Sequence, residues 1–546
     1  MTQQIRATTA KKTSQRWPVA AWLGFVLLAV LGVYKDLPKA EFFLDDYLHL
    51  HLIRQLESPF VPFVTDVFMG AFFRPAITIF WAMDYALFGS NAAGFYVMNI
   101  VYLLISAVLL FAVIRNLTGS NTQSGLATLL FAIGPVTGVG VQWLSNRFDL
   151  IGTMFFLASL LLFLRYVRYR HRGDYGLSLF FALVAFFCKE ITITLPIVMV
   201  LAAGFMFLHR APASFNGRLV KRLLSWSTPF FTAAAGFMVW RYALIKSLGG
   251  YVGEIKEPFT LGYFVFIWQR FGEYVWLVKN PFVLAVVIIL MAFLMARPNF
   301  YSRNKLFFFG VLVTLVTAMP LVLIFKYKAV MGYMTPRFFF LPNIGMLICL
   351  VSLYDPRSHA LRRVFAGLFL GLVILALGLN NYVLNHKWYR DKADLVANME
   401  KIDAAIAAED IDMTSTLIYT CLADVDVAID TGIKIMNPDL QDRLFVLKCL
   451  GPTQTAATKS LYDRKRRLLN YPTSFARNPC TYKDLVYGVA EAEPRLVADQ
   501  IRSVSGVYVL DLDEKGNMVL LDGEDIFRMI KVRFGVELAD GMEPHA

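Results

Sequence analysis

Apolar stretches of membrane-spanning length alternate with short polar segments along roughly the first 380 residues. A span needs about 20 apolar residues to cross roughly 30 Å of hydrocarbon, and this criterion predicts about eleven spans. The pattern therefore predicts a polytopic α-helical membrane protein with a C-terminal soluble α+β domain. The predicted spans are residues 17–34, 92–114, 121–138, 148–166, 176–188, 191–208, 226–245, 281–296, 305–325, 338–354 and 363–380.

Two shorter apolar segments lie between the first and second spans, in residues 35–91. "YLHLHLIRQL" and "PAITIFWAMDYALFG" are interrupted by Arg54, Pro75 and Asp84. Such segments are typical of helices that lie along the membrane interface and keep their polar groups in water. We therefore expect a first outer loop with two interfacial helices.

The last 165 or so residues have ordinary polarity and mixed patterns. "STLIYTCLADV" is typical of a strand, and "NPDLQDRLFVLKCL" predicts a helix behind an Asn or Asp cap. "GVYVLDLDEKGNMVLLDG" predicts a β-hairpin, followed by a helix from Glu524 to Phe534. Residues 381–546 are therefore expected to form one compact α+β domain.

Composition and charge fix the expected orientation. Hydrophobic residues make up 57% of the chain, which excludes a soluble protein, and the net charge is +13. The cationic clusters follow even-numbered spans, as the positive-inside rule requires, so we do not attribute them to nucleic-acid binding. Residues 1–16 are then a cytoplasmic basic leader, and residues 17–34 a retained signal anchor. Residues 35–91 and 381–546 face outward, in a bacterial inner membrane with a periplasmic C-terminal domain.

Some charges break that topology rule and are candidates for function. Arg74, Arg147, Lys189, Arg241 and Arg337 lie on the predicted outer side. Guanidinium groups bind phosphate oxygens bidentately, so the phosphate of a lipid carrier is the expected partner. The acids Asp45 and Asp46 lie on the same side and can accept a proton. Acceptor activation together with leaving-group stabilisation predicts glycosyl transfer from a polyprenyl-phosphate sugar.

A family resemblance supports this hypothesis over roughly residues 20 to 390. The motifs occur in the family's order: "FFLDDYLHL", "FFRPAITIFWAMDYALFGSNAAGFYVMNIVYLLISAVLLFAVI", "VQWLSNRFDLIGTMFFLASLLLF", "CKEITITLPIVMVL", "RYALIKSLGGY" and "TPRFFFLPNIG". The chain resembles the GT-C class of integral membrane glycosyltransferases. It is most similar to the protein O-mannosyltransferase-like branch, which includes the animal transmembrane-and-tetratricopeptide enzymes. Residues 17–380 would then form the catalytic module.

The resemblance implies roles for individual residues. One acid of the pair, with Asp45 preferred over Asp46, would be the general base of a single inverting displacement. Arg147, Lys189, Arg241 and Arg337 match loop motifs expected to hold the departing phosphate. The implied substrate-binding set also includes Arg74, Asn99, Asp149, Glu190 and Tyr251. Tyr96 replaces a histidine of the animal enzymes, and the C-terminal repeats are absent from the pattern. The acceptor therefore stays open between protein, glycan and lipid.

Simpler interpretations stand beside these roles. The acid pair could cap a helix. Arg147 and Asp149 could form a local salt bridge, and Lys189 and Glu190 could neutralise each other. Arg74 could mark a helix start before Pro75, and Arg337 could be an interfacial anchor.

Cofactor and class also have alternatives. A divalent cation, Mg²⁺ or Mn²⁺, could bridge an Asp and the donor phosphate, and Asp46 with His49 could share a helix face for an ion. Two rival functions are a transporter or flippase of a lipid-linked or anionic solute, and a non-catalytic membrane assembly protein. In each case the protein also contacts membrane lipids, and no nucleic-acid partner is expected.

Overall fold

The fold is mostly helical in the part of the chain that the computed structural model describes. The described residues are 18–65, 72–210, 217–246, 304–321, 332–354, 359–408, 416–420, 446–448, 506–512 and 518–522. Their helices are α1 (Val19–Val33), α2 (Asp45–Gln55), α3 (Pro75–Phe88), α4 (Ala92–Thr118), α5 (Asn121–Ile133), α6 (Pro135–Gln142), α7 (Arg147–Tyr169), α8 (Arg172–Cys188), α9 (Leu195–Arg210), α10 (Gly217–Ile245), α11 (Lys305–Ala318), α12 (Phe340–Ser352) and α13 (Ala360–Ala408). Their strands are β1 (Thr416–Thr420), β2 (Val446–Lys448), β3 (Gly506–Leu512) and β4 (Met518–Asp522).

The chain divides into two compact units. One consists of Met1–Lys39 and Glu57–Lys387, and the other of Ala40–Leu56 and Trp388–Ala546. The first unit contains α1 and most of the later helices. The second contains α2, the end of α13 and the strands.

Apolar helices of spanning length make this an integral membrane protein. Within the described residues, the segments long and apolar enough to cross a bilayer are Val19–Lys39, Ala92–Thr118, Leu144–Tyr169, Glu190–Leu208 and Ala360–Lys401. Shorter apolar helices are Pro75–Phe88, Lys305–Ala318 and Pro336–Ser352. The predicted span 281–296 lies outside the described residues, so the total of about eleven stays a prediction.

The predicted span 121–138 is two helices instead of one. Helices α5 and α6 are bent by 49° at their junction. Pro135 opens α6 at its first position, and Gly134 before it has an extended backbone. A residue before proline is pushed out of the helical region, and proline has no N–H to continue the ladder. The Gly-Pro pair therefore breaks the span.

Small residues let helices of the first unit approach closely. A Cβ at Gly345 of α12 would lie 2.7 Å from the Gly310 carbonyl oxygen of α11. Helices α7 and α8 are joined by reciprocal bonds: the Ser159 hydroxyl donates to the Ser178 carbonyl at 2.6 Å, and the Ser178 hydroxyl donates to the Ser159 carbonyl at 2.7 Å. Close backbones and interhelical hydroxyl bonds are how helices associate in lipid, where burial of apolar side chains gives no driving force.

Packing of the start of α7 against the end of α8 positions much of the candidate site. A Cβ at Gly152 would lie 3.2 Å from the Cβ of Lys189, the residue that follows α8. A short 3₁₀ helix, Glu190–Thr194, links this point to α9. Charged side chains near residue 149 and residues 189–190 are thereby brought into one region.

The strands of the second unit form one sheet in the order β2-β1-β3-β4. Strand β1 pairs in parallel with β2 and with β3, and β3 pairs with β4 in antiparallel fashion. The predicted strand at β1 and the predicted hairpin of β3 and β4 are therefore present. The predicted helix over residues 437–450 is wrong at Val446–Lys448, which pair with β1. A short apolar run suits either state, and here strand pairing decides. The predicted helix from Glu524 lies outside the described residues.

Two further predictions are corrected. The segments expected to be interfacial are helices, α2 and α3, but Asp84 of α3 is fully buried and not kept in water. Its partner inside the fold, Arg147, replaces water. The last predicted span ends at residue 380, whereas α13 continues to Ala408.

Candidate functional site

The acid pair follows an unusual turn in the second unit. Leu44 has φ 48° and ψ −117°, a conformation that glycine adopts readily and leucine does not. The Asp46 amide donates to the Phe43 carbonyl at 3.1 Å, and the Phe43 amide donates to Asp46 Oδ2 at 2.9 Å. Asp46 therefore closes this turn with two hydrogen bonds to Phe43, one from its backbone amide and one through its carboxylate.

The two acids therefore have different surroundings. Helix α2 begins at Asp45 with Leu44 as its N-cap, so neither acid is the N-cap itself. Asp45 is exposed, whereas Asp46 is fully buried. His49 is half-buried on the same helix. Of the two carboxylates, Asp45 is the one that an incoming hydroxyl group can reach.

A buried lysine lies in the same unit as Asp46. Lys392 of α13 is fully buried, and its charge is attracted by Asp46 and by Glu41. The preceding turn of α13 contributes Trp388, whose ring makes an edge contact with Phe43 at 5.4 Å between centroids. Sequence reasoning missed Lys392 because it placed that residue beyond the last span. The available signal was a lysine within an uninterrupted helical pattern.

In the first unit, six of the predicted residues form a charged cluster. Glu190 accepts from Arg74 Nε at 3.2 Å and from Arg241 Nη1 at 2.9 Å. The Lys189 ammonium donates to Asp149 Oδ2 at 3.3 Å. Asp149 also feels the charges of Arg74 and Arg337. The charged cluster is defined as Arg74, Asp149, Lys189, Glu190, Arg241 and Arg337.

Aromatic rings line the cations of this cluster. The Arg74 guanidinium lies 4.4 Å from the Phe72 ring and 4.0 Å from the Phe148 ring. The Lys189 ammonium also lies 4.0 Å from the Phe148 ring, and the Arg337 guanidinium 4.5 Å from the Trp143 ring. A cation over a ring face keeps its charge and its hydrogen-bond donors.

The charged cluster carries surplus positive charge. Three of its cations, Arg74, Lys189 and Arg241, pair with two carboxylate residues, Asp149 and Glu190, which leaves one positive charge in excess among these five residues. Arg241 is fully buried, and its Nε and Nη2 atoms have no hydrogen-bond partner among the described residues. Burial, followed by the nearby Arg74, lowers the pKa of Lys189 to about 8. Such a site attracts an anion with several acceptor oxygens.

Arg147 and Asn99 belong to a separate, fully buried network, in which Arg147 Nη1 and Asp84 Oδ1 have no hydrogen-bond partner among the described residues. Arg147 Nη2 pairs with Asp84, and its Nε donates to Asn99 Oδ1 at 3.1 Å. The Asn99 amide in turn donates to the Val141 carbonyl at 3.2 Å. The Trp81 ring lies 5.3 Å from the Arg147 guanidinium. This arrangement favours a structural role over the predicted phosphate contact.

The local salt bridges considered from the sequence are replaced by longer-range pairs. Arg147 pairs with Asp84 and not with Asp149. Lys189 pairs with Asp149, while Glu190 pairs with Arg74 and Arg241. Tyr96, which stands where a histidine was expected, is buried. Tyr251 lies outside the described residues.

Comparison with known proteins points to one family. Residues 75–240 match the family model described as dolichyl-phosphate-mannose-protein mannosyltransferase. This region includes Asn99, Arg147, Asp149, Lys189 and Glu190, and does not include the acid pair.

Similar proteins include named O-mannosyltransferases of animals. The chain is 30% identical over 121 residues to protein O-mannosyl-transferase Tmtc1 of Drosophila melanogaster. These residues are 22% of this chain and 14% of that protein. It is 28% identical over 128 residues to protein O-mannosyl-transferase TMTC3 of Homo sapiens, with the same shares covered. The chain thus spans about a seventh of the length of these relatives.

Among solved structures, ArnT from Cupriavidus metallidurans in the apo state is similar to 91% of this chain over 94% of its own length, with 12% identity and a TM-score of 0.47. The resemblance to the O-mannosyltransferase-like branch of the GT-C membrane glycosyltransferases, predicted from the sequence, is confirmed by the family match and the named relatives.

Proposed function

We propose that this chain is a glycosyltransferase that moves a sugar from a polyprenyl-phosphate-linked donor to an acceptor hydroxyl group. The observation that supports this most is the surplus positive charge of the charged cluster. A donor phosphodiester carries one negative charge, and the departing phosphate monoester carries up to two at neutral pH. Fixed cations stabilise the transition state most where charge develops during the reaction.

The reaction is a single displacement with inversion at the anomeric carbon. The acceptor oxygen forms its bond to that carbon while the bond from the carbon to the phosphate oxygen breaks. The acceptor's proton passes to the carboxylate of Asp45, the exposed acid of the pair. A positioned general base of this kind contributes about 10²- to 10⁴-fold to the rate.

The other site residues bind the phosphate or position the groups that do so. Arg74, Lys189, Arg241 and Arg337 hold the phosphate, and the carboxylates of Asp149 and Glu190 orient those cations. Asp46 keeps the turn before Asp45 closed. Tyr251 stays a predicted part of the donor site.

A metal is a separate matter. The described residues contain no group of three His, Cys, Asp or Glu side chains that could hold an ion. Dependence on Mg²⁺ or Mn²⁺ stays a prediction from the sequence.

The acceptor class and location follow the sequence predictions. The acceptor is a glycan, a lipid or a protein, and the reaction takes place on the extracytoplasmic face. The setting is a bacterial inner membrane, where membrane lipids are constant partners. The named relatives support a protein acceptor, although the match covers only 14% of their length.

One observation favours a second function, a flippase of a lipid-linked or anionic solute. The break between α5 and α6 resembles the interrupted helices that transporters use. A non-catalytic assembly protein is the third possibility from the sequence. The three functions, glycosyltransferase, flippase and assembly protein, predict different results for sugar transfer and for movement of the same lipid across the bilayer.

The test uses purified protein in vesicles with a panel of polyprenyl-phosphate sugars. Wild-type protein should release polyprenyl phosphate in step with acceptor glycosylation, and Asp45→Asn should not. Lipid movement across the vesicle without sugar transfer would establish the flippase instead. If the protein shows neither sugar transfer nor lipid movement with any donor, the proposal is refuted and the assembly role remains.

A further inference from the structure

We propose that Phe148 is the positioning residue of the phosphate site, an inference that rests on the proposed function. Its ring is in contact with two cations of the charged cluster, Arg74 and Lys189. Nothing in the sequence singles out this phenylalanine, because it lies between the charged residues of "SNRFD" and phenylalanine is common in apolar helices.

The geometry places both cations at the same ring. The Arg74 guanidinium carbon and the Lys189 nitrogen each lie 4.0 Å from the ring centroid of Phe148, so they are at most twice that distance apart. The ring therefore holds two phosphate-binding groups within this distance of each other.

The ring also offsets the repulsion between Arg74 and Lys189. Two like charges at this distance repel each other, and among the described residues each pairs with a single carboxylate residue, Glu190 for Arg74 and Asp149 for Lys189. The negative face of an aromatic ring attracts a cation without occupying its N–H groups. Arg74 and Lys189 thus stay charged and retain donors for phosphate oxygens.

The backbone supports this role. Phe148 is the second residue of α7, and Asp149, the ion-pair partner of Lys189, follows it directly. The ring of Phe148 is half-buried, whereas Asp149 is buried. One helix start therefore supplies both the carboxylate and the ring that hold the Lys189 ammonium.

Substitution at Phe148 tests the inference by binding of polyprenyl phosphate and by steady-state kinetics. Phe148→Leu keeps an apolar side chain but removes the ring. We expect the dissociation constant for polyprenyl phosphate and the donor KM to rise about tenfold. The kcat should change less than the KM, and Phe148→Tyr should restore binding.

Phe155 of the same helix is the matched control. It is also half-buried, and its ring contacts are with Phe80 and Phe181 instead of cations. Phe155→Leu should lower the melting temperature while leaving the affinity for polyprenyl phosphate unchanged. Equal losses of affinity in both leucine variants would overturn the positioning role.

A graded substitution keeps the test decisive if Phe148→Leu does not fold. Mono-, di- and trifluorophenylalanine at position 148 preserve the ring's shape and weaken its negative face step by step. Affinity for polyprenyl phosphate should fall with each added fluorine. An affinity that does not change with fluorination would overturn the inference.

The outcomes separate this inference from the proposed function. Binding that depends on Phe148 in a protein without transfer activity would refute the enzyme and keep the positioning role. Transfer that is lost in Arg74→Ala and Lys189→Ala but intact in Phe148→Leu would refute the positioning role and keep the enzyme. A wild-type protein that binds no polyprenyl phosphate would refute both.

Discussion

Arg147 forms an ion pair with Asp84, a residue 63 positions earlier in the chain, and both side chains are fully buried. The pair joins α3 to the start of α7. Each charge offsets the cost of burying the other, and Asn99 adds a hydrogen bond to the guanidinium. The two residues act as one neutral unit inside the fold.

Removal of one partner should therefore be costly. Arg147→Met leaves the Asp84 carboxylate buried without its cation, and we expect a loss of about 3 kcal/mol or more in stability. Asp84→Leu combined with Arg147→Met removes both charges and should recover most of that loss. Thermal unfolding of the detergent-solubilised variants measures the effect.

The same variants decide between the two roles of Arg147. If it is structural, the double variant binds polyprenyl phosphate as the wild type does. Weak binding by a double variant of normal stability would assign Arg147 to the phosphate site.

The two acids of the pair should respond in opposite ways to neutralisation. Asp45→Asn should lower kcat by about 10²- to 10⁴-fold and leave the melting temperature unchanged, because this exposed side chain serves as the base. Asp46→Asn retains an oxygen for the Phe43 amide but removes the charge that attracts Lys392. It should lower the melting temperature and reduce kcat less than tenfold.

Turnover and melting curves of both variants provide the measurement. The assignment is reversed if Asp46→Asn loses turnover while Asp45→Asn only loses stability. It also fails if both variants keep full activity.

Donor binding should weaken as the pH rises through about 8. The pKa of Lys189 is lowered to about 8, mainly by burial, so its ammonium group loses its proton in that range. A neutral amine no longer attracts the donor phosphate. The kcat/KM for the donor should fall between pH 7 and pH 9, since this ratio reports the unbound enzyme. Lys189→Arg should remove that step.

Stability should change with the opposite sign. An unfolded lysine has a pKa near 10.4, so between about pH 8 and that value the unfolded chain binds more protons. The contribution of Lys189 to stability therefore rises with pH over this window. A parallel fall of binding and melting temperature would indicate general unfolding instead of titration of Lys189.

Close packing of α11 and α12 should make Gly345 intolerant of a side chain. A Cβ there would lie 2.5 Å from the Thr314 nitrogen and 2.7 Å from the Gly310 oxygen, both backbone atoms. We expect Gly345→Ala to cost about 1 to 3 kcal/mol through forced separation of the helices.

Gly236 of α10 is the control, because a Cβ at this position meets nothing within 4 Å. Gly236→Ala should be neutral or stabilise the helix by about 0.5 to 1 kcal/mol. The packing argument fails if both alanine variants melt at the same temperature.

Span length predicted the position of most of the described apolar helices, but not the break between α5 and α6, and the total of about eleven spans stays a prediction. Sequence proximity predicted the charge pairs poorly. Arg147 and Asp149 are two residues apart on a helix and point about 200° apart, so they do not face each other. Lys189 has an extended backbone, so its side chain and that of Glu190 point to opposite sides. Each then pairs with a residue that is distant in sequence.

The sequence pattern also did not predict the roles of two residues of the second unit, Leu44 and Lys392. The strain at Leu44 has no signature, because leucine is common before helices and only backbone angles show it. Lys392 could not be connected with Asp46, since 346 positions separate them and only the fold brings their charges together. The acid pair itself was identified, but the difference in exposure between its members was not.

The excess of cations over carboxylates has a consequence for turnover. On the proposed mechanism, the charged cluster stabilises the doubly charged lipid phosphate more than the singly charged donor, since attraction grows with charge. The spent carrier then competes with fresh substrate, and its departure becomes the slow step. An organism that relies on this protein must clear the used lipid from the outer leaflet to keep the reaction running.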